Sequence, residues 1–174
     1  MLIILTTIGV VLFDYRDSRL FTYILVIPTL LVPLVFRKSK IIYSDLDVLI
    51  YYIFIFIAQV LGCICNLYNV IWYFDLVVHF VSGLFSFYIG LIIIKNFNLE
   101  CSLFFKIFFC ICFCGLIAVL WEIFEFSGDC LFNLNIQHNR STGVFDTMED
   151  MIMAIIGSLV YAFGFYIKYN NKNK

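Results

Sequence analysis

Residues 48–68, 70–94, 103–126 and 147–167 each run for twenty residues or more with few charges to interrupt them. A helix rises 1.5 Å per residue, so each run can cross about 30 Å of hydrocarbon. Hydrocarbon offers no water to the backbone N–H and C=O groups, so such segments must be helices. Two shorter runs precede them, 1–13 and 20–36, the second containing Pro28 and Pro33, which are expected to kink it. The expected fold is therefore all-α, a polytopic transmembrane helical bundle of about six spans. If 1–13 is partial or continuous with 20–36, the number is five. Residues 1–174 read as a single transmembrane domain, with N-terminal helices in 1–68, a core in 69–167 and a tail in 168–174. Composition agrees, because a chain of 174 residues that is 64% hydrophobic, with 21 Phe, has too much apolar surface for a soluble domain to cover. A net charge of −1 with scattered lysines argues against a nucleic-acid partner. The apolar start lacks a basic region and a small-residue cleavage site, so no cleavable signal peptide is expected.

Basic residues give the orientation. With six spans, Arg37, Lys38, Lys40, Lys95, Lys106, Lys168, Lys172 and Lys174 fall on one side, and Arg16, Arg19 and Arg140 on the other. The first side is read as cytoplasmic, with both termini there. Asp75 and His79 then lie near the outer start of one span. Glu122, Glu125 and Asp129 lie at the outer end of the next, and Asp146 and Asp150 at the outer start of the last. An ionised side chain at mid-bilayer costs ~2.5 kcal/mol or more, so such residues face a bundle interior or a wet cavity. With Asp14, Asp17 and Glu149, the outer side carries nine acids.

Helical spacing sharpens this picture. Residues three or four apart share a face. Asp75, His79, Gly83, Ser86 and Gly90 form one stripe. Gly115, Ala118, Glu122, Glu125 and Asp129 form a second, and Asp146, Asp150, Ala154, Gly157, Tyr161 and Gly164 a third. Each acidic cluster continues into small residues, which let membrane helices pack closely. The expectation is three helices in contact, with a polar pocket at their outer mouth. Simpler roles compete. Asp146 could cap the last helix, with Glu149 as its capping-box partner. Glu122 or Glu125 could be neutral and merely hydrogen-bonded. His79 could be an ordinary satisfied histidine. Arg140, in a polar loop with Gln137, His138 and Asn139, could pair with surplus acids or hold an anionic head group.

One imidazole among several carboxylates is a hard donor set. It suits Mg²⁺, Mn²⁺, Ca²⁺ or Zn²⁺ held by some of Asp75, His79, Glu122, Glu125, Asp146 and Asp150. A metal there could activate water or polarise a phosphoryl oxygen, with Glu122, Glu125 and Arg140 as candidate catalytic groups. Without metal, the same carboxylates would share protons. The seven cysteines do not form an obvious site. Cys110, Cys112 and Cys114 alternate, so a helix spreads them around its circumference, and the set reads as small packing residues. No P-loop, nucleophile elbow or dinucleotide fingerprint is present.

Tyr73-Phe-Asp75-x-x-x-His79-Phe-x-x-Gly83, then Trp121-Glu-x-x-Glu125-Phe, then Arg140 and Asp146-Thr-x-x-Asp150 with Gly157 resemble the YjdF-like family of bacterial integral membrane proteins. More distantly they resemble the VanZ-like family. The resemblance spans about residues 66–165. It implies a site carried by Asp75, His79, Glu122, Arg140, Asp150 and Gly157. Glu125 stands where VanZ-like chains commonly have Gln, and Ala154 where they have Asn, which favours the YjdF-like branch. The functional expectation is a multi-pass protein of the bacterial cytoplasmic membrane with an outward-facing Asp/Glu/His pocket. It would bind a divalent metal and act on, or bind, a lipid-linked or cell-envelope substrate, as a metal-dependent membrane hydrolase does. Two other classes remain open. A small proton-coupled transporter or flippase would use the carboxylates as a relay, though the cytoplasmic half of the last three runs shows no matching charge. A structural membrane protein would use the charges only to hold its helices together.

Overall fold

The structure, a computed structural model, describes residues 18–38, 44–132, 137 and 144–172, with side chains from Pro28 onward. The run 1–13 lies outside these residues. Among them there is helix and no strand. The chain divides into two compact units, 1–74 and 75–174.

In the first unit, α1 spans Ser18–Lys38 and α2 spans Asp45–Ile55, continuing as a π-helical segment, Phe56–Ile64. A short α3, Leu67–Val70, follows. Pro28 and Pro33 both lie inside α1. Pro33 has no N–H to offer the carbonyl four residues earlier, that of Thr29. The Tyr51 hydroxyl donates to that oxygen at 2.7 Å, and Tyr52 donates to the Leu30 carbonyl at 3.2 Å. The Thr29 hydroxyl in turn donates to Gln59 Oε1 at 3.1 Å, which accounts for a glutamine only 5% exposed in an apolar run. α2 starts three residues earlier than the apolar pattern alone indicates. Ser44 caps it, accepting from the Asp47 amide, while the Asp47 carboxylate accepts from the Ser44 amide.

The apolar run 48–68 does not continue as one helix. It breaks after Ile64, and Asn66 takes a left-handed conformation, φ 64°. Asn tolerates that region better than most residues. A Cβ on Gly62 would run into the Tyr68 ring, so the glycine lets the turn fold back on the π-helical segment. The next long helix consequently starts at Phe74 rather than near residue 70.

The second unit holds three long helices: α4, whose bounds are Phe74–Asn96, α5, Leu103–Phe132, and α6, Phe145–Lys172. With the helical stretch Asp45–Ile64, they make four helices long and apolar enough to cross a membrane among the described residues. Their exposed surfaces are rich in Phe, Leu, Ile and Val, as lipid-facing helices require. α4 ends where Asn98 adopts φ 51°. The Leu99 amide reaches the Ile94 carbonyl and the Asn98 amide the Lys95 carbonyl, the Schellman pattern. Ser102 then caps α5 through its hydroxyl, which accepts from the Phe105 amide at 3.2 Å.

Small residues set the packing. A Cβ on Gly83 would overlap the Ala154 carbonyl, and one on Gly157 would overlap the Phe80 carbonyl, so α4 and α6 touch backbone to backbone. A Cβ on Gly90 would lie 2.9 Å from Cys110 Sγ, which brings α5 against the same face of α4. Cys110 and Cys114 are fully buried and Cys112 is exposed, the alternation a helix imposes. Cys114 Sγ also contacts the Ala154 carbonyl at 3.5 Å, tying α5 to α6. Lower in the bundle, Phe87 stacks on Tyr161 with ring centroids 5.1 Å apart. The small stripe on α6 stops short of its expected end, because Gly164 is exposed and, among the described residues, a Cβ added there would meet nothing within 4 Å.

Candidate metal centre

Asp75 lies in the first turn of α4, and His79 one turn further along the same face. Asp150 lies on α6, a turn above the Ala154–Gly157 contact that presses this helix onto α4. The close approach allowed by Gly83 and Gly157 therefore brings the three side chains together. One donor atom from each of Asp75, His79 and Asp150 lies within 4.8 Å of the others, and they are the one such metal-capable group among the described residues.

The distances are informative. His79 Nε2 is 3.4 Å from Asp75 Oδ1 and 3.7 Å from Asp150 Oδ2. A charge-assisted N–H···O bond is normally ~2.7–2.9 Å, so neither pair is closed up as a tight ion pair. Ligands about 2.0–2.2 Å from a metal lie roughly 3.0–3.5 Å from one another around a tetrahedral or octahedral centre. The observed separations sit at or just above that range. Asp150 and His79 are buried, at 3% and 8% exposure, and Asp75 is the most open of the three.

Glu122, on the α5 face that also carries Ala118 and Cys114, is 5% exposed. It stands outside the three-residue group but close enough to His79 and Asp75 to interact with both electrostatically. Its Oε1 is buried and has no hydrogen-bond partner among the described residues. A buried carboxylate oxygen left without a donor is costly and calls for an explanation. Its other oxygen, Oε2, lies 3.5 Å from Gln137 Nε2, and the Thr147 hydroxyl is also hydrogen-bonded to the carboxylate.

The remaining expected site residues divide. Glu125 is only partly buried and accepts a hydrogen bond from Trp121 Nε1 at 2.9 Å, while lying within electrostatic reach of Asp75, His79, Glu122 and Asp150. Asp146 is outside the three-residue group, although it is an electrostatic neighbour of Asp150. It is also not the cap expected from its spacing to Glu149. α6 begins at Phe145, and the Met148 amide bonds back to the Val144 carbonyl, which leaves Asp146 within the first turn. An acid there still interacts favourably with the helix dipole. Arg140 lies outside the described residues.

Gln137 was not apparent as a site residue from the pattern of the sequence. It is 5% exposed, and its side-chain nitrogen also approaches the Glu122 carbonyl and Thr147 Oγ1, each at 3.3 Å. A residue in a connecting segment has no helical period to reveal it, and only its polarity amid polar neighbours was visible.

A family model described as "Predicted membrane protein (DUF2238)" matches residues 1–171. The chain belongs to that family. The YjdF-like resemblance is consistent with this membership. No curated protein and no solved structure matches the chain.

Proposed function

We propose that this membrane protein holds a divalent cation between Asp75, His79 and Asp150, on the outer side of a bacterial cytoplasmic membrane, and uses it on a lipid-linked or cell-envelope substrate. The observation that carries the reading is the convergence of two carboxylates and one imidazole within 4.8 Å, from two helices held in backbone contact. A mixed oxygen and nitrogen donor set favours Mn²⁺ or Zn²⁺ over Ca²⁺. Three protein donors leave positions open for water and substrate, the arrangement of a catalytic rather than a closed structural site. Glu122, with one buried oxygen lacking a partner among the described residues, would approach such a cation and accept a proton from water held there.

The concrete version is hydrolysis of a phosphorylated or glycan-bearing lipid. A cation held by Asp75, His79 and Asp150 would activate water for attack on the phosphorus or the anomeric carbon. Glu122 would take the proton from that water and pass it to the leaving oxygen as the bond from the attacked atom to that oxygen breaks. The outward orientation rests on the eight-to-three partition of basic residues derived above.

The test is a release assay in proteoliposomes carrying a polyprenyl diphosphate or a glycan-linked lipid. Phosphate or sugar should be released with Mn²⁺ or Zn²⁺, stop with chelator, and be lost in Asp150→Asn. Wild-type protein that leaves both lipid classes intact in every metal would overturn the hydrolytic reading.

A further inference from the structure

Gln137 reaches the site from the connection between α5 and α6 rather than from a helix, yet it is as enclosed as Glu122. Its amide nitrogen has two hydrogens to donate. Three acceptors lie around it, the Glu122 carbonyl and Thr147 Oγ1 at 3.3 Å and Glu122 Oε2 at 3.5 Å. Its backbone N–H donates to Asp129 Oδ2 at 3.2 Å. One residue therefore joins two positions two turns apart on one face of α5, 122 and 129, to the first turn of α6. The side-chain contact is specific to a carboxamide, since a glutamate would set its charge against the Glu122 carboxylate and could not donate to the Glu122 carbonyl.

Glu122 is left with unequal oxygens. Oε2 accepts from Gln137, whereas Oε1 is buried with no partner among the described residues. We infer that Gln137 is a positioning residue, which holds Glu122 by Oε2 and its main-chain carbonyl so that Oε1 is presented to a cation bound by Asp75, His79 and Asp150. This inference rests on the cation reading above. A residue that orients a metal-site carboxylate typically changes metal affinity 10–100-fold when it is removed.

Two measurements test it separately. The first is a double-mutant cycle in chelated protein, read as melting temperature, with Gln137→Glu, Glu122→Gln and the pair. Gln137→Glu should lower the melting temperature. The double variant should recover most of the loss, because amide and carboxylate then exchange places across the same contact. Strict additivity would overturn the contact, and the positioning role with it. The second is Mn²⁺ titration of Gln137→Ala, with Gln137→Met as the volume-preserving alternative should the alanine variant not fold. Affinity should fall about 10-fold, and the pH midpoint of Mn²⁺ binding should move from its wild-type value. A coupled cycle with unchanged Mn²⁺ affinity and unchanged midpoint would make Gln137 merely structural and overturn the role. Wild-type protein that takes up no Mn²⁺ or Zn²⁺ would defeat the cation reading, and this role would fall with it, while the cycle would still report whether Gln137 holds Glu122.

Discussion

His79 has two carboxylates at separations too long for tight ion pairs and close to those of ligands around a shared cation. That geometry makes the three donors unequal to the acids around them. Asp150→Asn keeps the shape of the side chain and removes one anionic donor, so it should weaken Mn²⁺ binding by roughly 100-fold, about 2.7 kcal/mol. Asp146→Asn removes an equal charge close by, outside the three-residue group, and should change affinity by less than roughly one third of that free energy, as a screened neighbour does. Calorimetric titration of the two variants checks the contrast. Equal losses would mean that diffuse acidity, and not the triad, attracts the cation. Glu122→Gln offers a complementary reading. In chelated protein it deletes a buried carboxylate oxygen that has no donor among the described residues, so the melting temperature should hold or rise.

At the level of the helices, two glycines set the α4–α6 contact. Gly83 and Gly157 face carbonyl oxygens across the α4–α6 contact, where backbone cannot give way as a side-chain end can. Gly83→Ala or Gly157→Ala should destabilise the protein by about 1–3 kcal/mol through overpacking, and should weaken metal binding too, because the same contact sets the distance from Asp150 to His79. Gly164→Ala meets open space and should be neutral or mildly stabilising, since alanine favours helix over glycine by about 1 kcal/mol. Denaturant unfolding in detergent measures all three. These stripes were legible in the sequence because small residues recurring at helical spacing among Phe and Ile leave few other readings. His79, Gly83, Ser86 and Gly90 are all buried on one face of α4, as their spacing requires. Less was legible where chain direction changes. Asn66 ends a run whose composition gives no reason to stop, and α5 continues six residues past its apolar pattern to Phe132, which puts Asp129 inside the helix. Gln137 carried no periodic signal at all. Its place depends on acceptors contributed by residues 122, 129 and 147, which only folding assembles.

For the molecule as a whole, membrane insertion fixes which compartment the acidic ends of α4, α5 and α6 meet. On the proposed reading, the partition of basic residues would set them on the outer side. In a background where Cys130 is the sole cysteine, an impermeant thiol reagent should label it from outside intact cells, since it is exposed near the acidic end of α5. A sole cysteine introduced as Asn171→Cys, in the last turn of α6, should be shielded. The reverse pattern would invert the proposed orientation while leaving the helix contacts intact. A cation bound by these three residues would couple to the stability of the entire fold, because they converge only in the folded chain and a ligand of the folded state raises its melting temperature. At a free metal concentration 100 times the dissociation constant the gain is about 2.7 kcal/mol. The most direct measurement is therefore the melting temperature of the purified protein with and without Mn²⁺ or Zn²⁺, paired with elemental analysis of the protein as isolated. At least one of these ions should stabilise the protein, chelator should reverse the gain, and His79→Ala and Asp150→Asn should show no response. Identical melting curves in every divalent ion, with no metal in the isolated protein, would contradict the proposed cation site.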